Sequence, residues 1–184
     1  DPPPPREALE AQNLALLQRC RDLERKAHSL DVINRLAASL LLANTGGFGL
    51  LAQAGDMQSR QRAGKSFLTV DAGCHVLPPA VVNAAHQRVA CLSMSGRLLV
   101  FALSELKRQP GGGRGLTLMD VDSKDPLLSA ATCGDALLVQ GTGRGGKAKE
   151  EVVQRALLAS HEGKRARKGH KIDGFIKPMR LSAA

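Results

Sequence analysis

From residue 40 onward the chain breaks into short apolar runs punctuated by glycine. Apolar runs at residues 40–43, 50–54, 67–70, 89–92, 98–103, 116–121 and 136–140 alternate with turn segments at 44–47, 95–97, 109–113 and 141–143. Short runs bounded by Gly, Asn, Ser and Pro read as strands joined by tight turns. The fold class predicted is therefore mainly β, a sandwich, barrel or propeller.

The runs also recur. With the turn glycine as anchor, Gly47 matches Gly96 at an offset of 49 residues, and the same offset pairs Asp56 with Glu105 and Lys65 with Arg114. A third copy opens at Leu137-Leu138-Val139, with Gly143 expected as its turn glycine. Each copy follows one order: apolar strand, glycine turn, second strand, acidic residue, basic glycine-rich loop, third strand. A period near 49 with three or four strands per copy is the size of a propeller blade.

Residues 1–38 read differently, and the expected division is a helical segment, 1–38, followed by a β domain, 39–184. After the opening Asp-Pro-Pro-Pro-Pro, residues 7–30 lack Gly and Pro and are rich in Ala, Leu, Glu, Gln and Arg, all helix formers. Leu9, Leu16, Leu23 and Leu30 recur at intervals of seven, with Asn13, Cys20 and Ala27 four residues after the first three. That pattern fits self-association of residues 7–30 as a short coiled coil, and equally a helix packing on its own domain.

The formal net charge is +9, unevenly placed: residues 141–184 hold eleven Lys/Arg against four Asp/Glu, whereas residues 1–38 hold six of each. A concentrated positive field attracts polyanions, and nucleic acid is the usual one. With four Phe and neither Trp nor Tyr, the chain lacks the stacking platforms of a single-strand binder, so the phosphates of double-stranded DNA are the expected partner. Candidate contacts lie in three basic glycine-rich loops. The first holds Arg60, Arg62, Gly64 and Lys65; the second Lys107, Arg108, Gly113 and Arg114; the third Lys164, Arg165, Arg167, Lys168 and Gly169. Arg and Lys supply charge-assisted hydrogen bonds, and glycine lets a backbone approach a phosphate closely.

Other chemistry finds little support. The four cysteines are scattered without a C-x-x-C pair, the five histidines do not fall at metal-ligand spacing, and reduced thiols are expected. No apolar run reaches the roughly 18 residues of a membrane span, and with no basic n-region at the start the expected compartment is the cytoplasm. Gly141 to Lys147 fits G-x-x-x-x-G-K after an apolar strand and before a stretch at 149–160 that reads as a helix. Ala148 stands where a phosphate-binding loop needs Ser or Thr for magnesium, so nucleotide binding is set aside and no cofactor is expected.

The stretch from Leu42-Ala43-Asn44-Thr45-Gly46-Gly47-Phe48-Gly49 through Ser59 to Val70 and on to Val76-Leu77-Pro78-Pro79 resembles the C-terminal domain of bacterial type IIA topoisomerase A subunits, that of topoisomerase IV above all. Ser95 to Phe101, Ser104-Glu105-Leu106 and Gly112 to Met119 extend the likeness, and Arg60 to Lys65 is similar to the basic-glycine box of the related gyrase A subunit. The resemblance implies a β-pinwheel, about three blades of an incomplete set, whose outer surface binds and bends DNA for a nucleoid-associated enzyme. It implies as partners the ATPase B subunit together with the remainder of the topoisomerase A subunit. Residues 1–38 do not match the family. Enzymes of this class cleave DNA with a tyrosine, and this chain has none, so no cleavage is expected of it alone. The rival reading is a protein-interaction module that dimerises through the leucine-heptad helix.

Overall fold

In the computed structural model, residues 6–184 are described; the opening residues 1–5, with the proline run, lie outside the described residues. The chain divides into two compact units, residues 1–37 and 38–184. The first holds one helix, α1 (Arg6–Ala37), of 32 residues, which fits its uninterrupted run of helix formers. Asp22 pairs with Arg25, and Asp31 with Arg35 at 2.8 Å, which are neighbours on a helix surface.

The second unit is built of three antiparallel sheets. In the first, β1 (Ser39–Ala43) and β2 (Phe48–Gln53) form a hairpin, with β3 (Ala80–Val82) beside β1 and the two-residue β6 (Leu116–Thr117) beside β2. In the second, β4 (Arg88–Ser93) and β5 (Arg97–Ala102) form the hairpin, flanked by β7 (Leu127–Cys133) and β10 (His170–Lys171). The third pairs β8 (Ala136–Thr142) with β9 (Ala148–Gln154), and β11 (Lys177–Ala183) lies beside β8. The mainly β class, the blade architecture and the preceding helix all agree with the expectation.

The three hairpins are the repeat made physical. Ala43 faces Gly49, Leu92 faces Leu98, and Thr142 faces Ala148, and each pair closes a turn with one backbone hydrogen bond: Gly47 N to Asn44 O, Gly96 N to Ser93 O, Gly146 N to Gly143 O. Gly47, Gly96 and Gly146 all adopt positive φ, at 83°, 85° and 72°. The third turn glycine is thus Gly146, fifty residues after Gly96, and Gly143 is the residue whose carbonyl accepts the bond. The repeats also exchange strands. β6 follows the second hairpin but completes the first sheet, and β10 follows the third hairpin but completes the second.

Burial explains which strands were legible. The middle sheet is covered on both faces: Val89, Cys91, Leu99 and Phe101 join one core with Leu41, Leu118 and Leu127, while Leu92, Leu98 and Val100 join another with Leu137, Val139, Val153, Leu158 and Leu181. Strands buried on both faces read as unbroken apolar runs. Leu42, Leu50, Ala52 and Phe67 form a third, smaller cluster on the first sheet.

Several expectations need correction. Residues 67–70 form no named strand; Leu68 makes only an isolated parallel bridge to Gly113. Of the run 116–121, only Leu116–Thr117 is a strand. The helix expected over 149–160 is instead strand β9 followed by a single turn, α2 (Arg155–Leu158), and a short 3-10 segment, Ala159–His161. Lys149, Glu150 and Glu151 are helix formers by propensity, but seven cross-strand pairs with β8 override it.

A candidate nucleic-acid interface along the blade edge

The third sheet decides the fate of the G-x-x-x-x-G-K stretch first. Residues 143–147 are the turn between β8 and β9, with no helix behind them, so the strand–loop–helix context of a phosphate-binding loop is missing. Among the described residues no group of three or more His, Cys, Asp or Glu converges as a metal site, and no helix is long and apolar enough to cross a membrane. All four cysteines are free thiols; burial pushes the Cys91 thiol up to about 12 and that of Cys133 up to about 11.

The second and third basic loops occupy equivalent places on the first two sheets. In the second loop, Gln109 N donates to Leu51 O of β2 at 2.8 Å, and Gly113 N donates to Phe67 O at 2.8 Å. In the third, Gly163 N donates to Val100 O of β5 at 2.8 Å, and Ala166 N donates to Leu118 O at 2.9 Å. Leu51 and Val100 are themselves 49 residues apart. Two further bonds join the repeats in line, Thr69 N to Gly113 O at 2.9 Å and Asp120 N to Arg167 O at 3.0 Å. Each loop therefore runs along the outer edge of the preceding hairpin, and one follows the next.

Glycine makes this docking possible at two matched positions. At Gly115 a Cβ would lie 2.2 Å from Gly49 O, and at Gly169 one would lie 2.5 Å from Leu98 O, both with positive φ. The close approach of Gly169 is thus to the protein's own backbone. Gly64 and Gly113, by contrast, face open surroundings: a Cβ at Gly64 meets nothing within 4 Å, and one at Gly113 meets only Gln109 Oε1 at 3.9 Å.

The candidate cations fall into two groups. Arg108 is held by Asp56 through two bonds, Nε to Oδ2 at 3.0 Å and Nη2 to Oδ1 at 2.7 Å. That fork holds the Asp56 carboxyl below its ordinary range and raises the guanidinium. Arg114 donates to Asp71 Oδ2 at 2.7 Å and lies 4.1 Å from the centre of the Phe48 ring. Arg165 donates through Nη1 to Thr117 O at 2.6 Å, its backbone N–H donates to Glu105, and its Nε is buried without a partner. Asp56 and Glu105, matched in the repeat, thus both fasten the following loop.

Arg60, Arg62, Lys65, Lys107, Lys164, Arg167 and Lys168 are exposed, and none makes an ion pair or side-chain hydrogen bond among the described residues. Lys65 alone of these has an aromatic neighbour, Phe67, at 5.2 Å. Ala166, between two of the arginines, has φ of 64°, a left-handed conformation rare for a residue with a side chain.

Strand pairing adds cations that spacing did not reveal. Lys171 of β10 lies opposite Arg97 of β5, and Arg97, His170 and Lys171 line a depression of about 380 Å³. Beside it, Arg167, Lys168, His170 and His161 line a second of about 500 Å³, with Asp120 and Glu162 as its acids. His161 is buried with Nδ1 unpartnered, and burial lowers its pKa despite the carbonyls of Leu98 and His170 and nearby Asp173; the charge of His170 adds to the lowering. The run Arg167-Lys168-Gly169-His170-Lys171 was visible in sequence, but its junction with Arg97, seventy-four residues before Lys171, was not.

No family model matches the chain. It is 32% identical over 133 residues to the A subunit of DNA topoisomerase 4 from Neisseria gonorrhoeae, a match covering 69% of this chain and 17% of that protein. It is 33% identical over 86 residues to the corresponding protein of Escherichia coli, covering 47% and 11%. Among solved structures, the E. coli ParC C-terminal domain matches with a TM-score of 0.69 at 25% identity, over 79% of this chain and 60% of that one. The chain resembles the C-terminal domain of the topoisomerase IV A subunit. The DNA gyrase A C-terminal domain, at TM-score 0.57 and 19% identity over 73% of this chain and 43% of that one, shares the fold. This chain spans only a small part of the curated relatives' length.

Proposed function

We propose that residues 38–184 bind double-stranded DNA along the blade edge, through phosphate contacts that read little sequence, as the accessory C-terminal part of a type IIA topoisomerase. The observation that carries this reading is the in-line docking of the second and third basic loops, with seven exposed cations that make no ion pair or side-chain hydrogen bond among the described residues. Phosphates need such cations, and a duplex following successive loops meets them at repeated intervals. The likeness to topoisomerase IV supports the same role. With that role come two partners, the ATPase B subunit plus the remainder of the A subunit, in a nucleoid-associated cytoplasmic enzyme. Bending is part of the proposal, because a rim that presents cations blade after blade rewards a curved duplex. The chain takes no part in strand cleavage, having no tyrosine.

The test is a salt titration of binding to a random-sequence duplex of a few tens of base pairs, beside its single strand. Steep salt dependence with duplex preference is expected, and bending is read by energy transfer between the duplex ends. A folded chain that binds neither form at low salt overturns the reading.

A further inference from the structure

Helix α1 carries an exposed apolar seam of its own. Leu9, Leu16, Leu23 and Leu30 are 44%, 54%, 57% and 60% exposed, and they lie on one stripe with Asn13, Cys20 and Ala27. In heptad terms the leucines occupy d, and Asn13, Cys20, Ala27 and Asn34 occupy a. The positions flanking that seam are decisive. The g sites carry Arg19 and Lys26, and the e sites five residues later carry Glu24 and Asp31.

We infer that α1 pairs with α1 of a second copy of this chain as a parallel, in-register two-stranded coiled coil. In that arrangement each g residue faces the e residue of the partner five positions on, so Arg19 meets Glu24 and Lys26 meets Asp31, on both sides of the seam. An antiparallel pair would instead set g against g and e against e, bringing Arg19 towards Lys26 of the second copy when the seam layers are in step. Charge therefore selects the parallel orientation. Arg19, Glu24 and Lys26 make no ion pair within the chain among the described residues, and Asp31 keeps a second carboxylate face beyond its bond to Arg35. Asn at a favours two strands in register, because each Asn pairs only with its mate across the seam. With about three heptads the pair is at the lower limit of length, so association belongs in the micromolar range. This goes beyond DNA binding and does not rest on it.

The experiment is sedimentation equilibrium of the full chain from low micromolar to high micromolar concentration, with circular dichroism confirming that each variant keeps its strand content. Dimerisation is expected for the parent and its loss in L16A/L23A, where alanine keeps helix propensity but removes the seam. R19E/K26E weakens pairing about tenfold or more, and an equimolar mixture with E24K/D31K restores a heterodimer. Mild oxidation cross-links the parent through Cys20, and C20S abolishes this. A chain monomeric throughout, or one whose dimer survives L16A/L23A, overturns the inference. A mixture of R19E/K26E with the parent that pairs more tightly than the parent alone overturns the parallel orientation, because only g-against-g contacts would gain from it.

Discussion

The second and third basic loops hold matched positions on successive blades, yet they present their charge differently. Loop 107–115 has three candidate cations, of which Arg108 and Arg114 are bound to Asp56 and Asp71, leaving Lys107. Loop 163–169 has four, of which only Arg165 turns inward, leaving Lys164, Arg167 and Lys168. Counting Lys and Arg in a loop therefore does not measure what a phosphate can reach. An arginine already forked to a carboxylate must break that pair before it contacts DNA, whereas a lysine in water gives up only hydration.

The largest effect tests whether the two loops share a backbone role despite this difference. G115A and G169A each force a Cβ against a carbonyl at positive φ, and each should cost on the order of 2–4 kcal/mol in denaturant unfolding. G64A, with the same sign of φ but open space, should cost about 1 kcal/mol. Unequal costs at Gly115 and Gly169 would undo the equivalence, and an equal cost at Gly64 would show that the close carbonyls are not its cause.

The next effect separates the charges. K164A/R167A/K168A should flatten the salt dependence of duplex binding by about one unit of slope per lost contact, as should R60A/R62A/K65A. R108A/R114A should leave the slope nearly unchanged. Equal flattening by R108A/R114A would show that their ion pairs open on DNA.

Two smaller changes refine the contrast. D71N frees Arg114 from its pair, and duplex binding should tighten by up to about threefold while stability falls slightly. A166G relieves the left-handed strain in the third loop and should raise stability by about 1 kcal/mol in the same denaturant titration.

The pH response is the most local. His161 has a folded pKa below its ordinary 6.5, so the unfolded chain binds its proton more readily. The contribution of neutral His161 is therefore present above about 6.5 and is lost as pH falls below it. Melting temperatures of parent and H161F at pH 7.5 and 5.5 check this: the parent should lose more on acidification.

The β class, the repeat and the helix were all legible in the amino-acid order alone. Glycine turns, apolar runs and heptad leucines are local properties, and the runs were clearest in β4 and β5, where both sheet faces are buried. Five strands escaped, β3, β7, β9, β10 and β11. Among them β7 has Ser, Ala and Thr that look like any loop until it pairs with β4, and β9 carries charges that point to water. The site divided in the same way. Which residues were basic was plain, but the partners that silence Arg108, Arg114 and Arg165 lie 43 to 60 residues away in the chain. Which cations stay free was settled by folding, because ion pairing depends on distance in space, and strand exchange sets that distance across repeats.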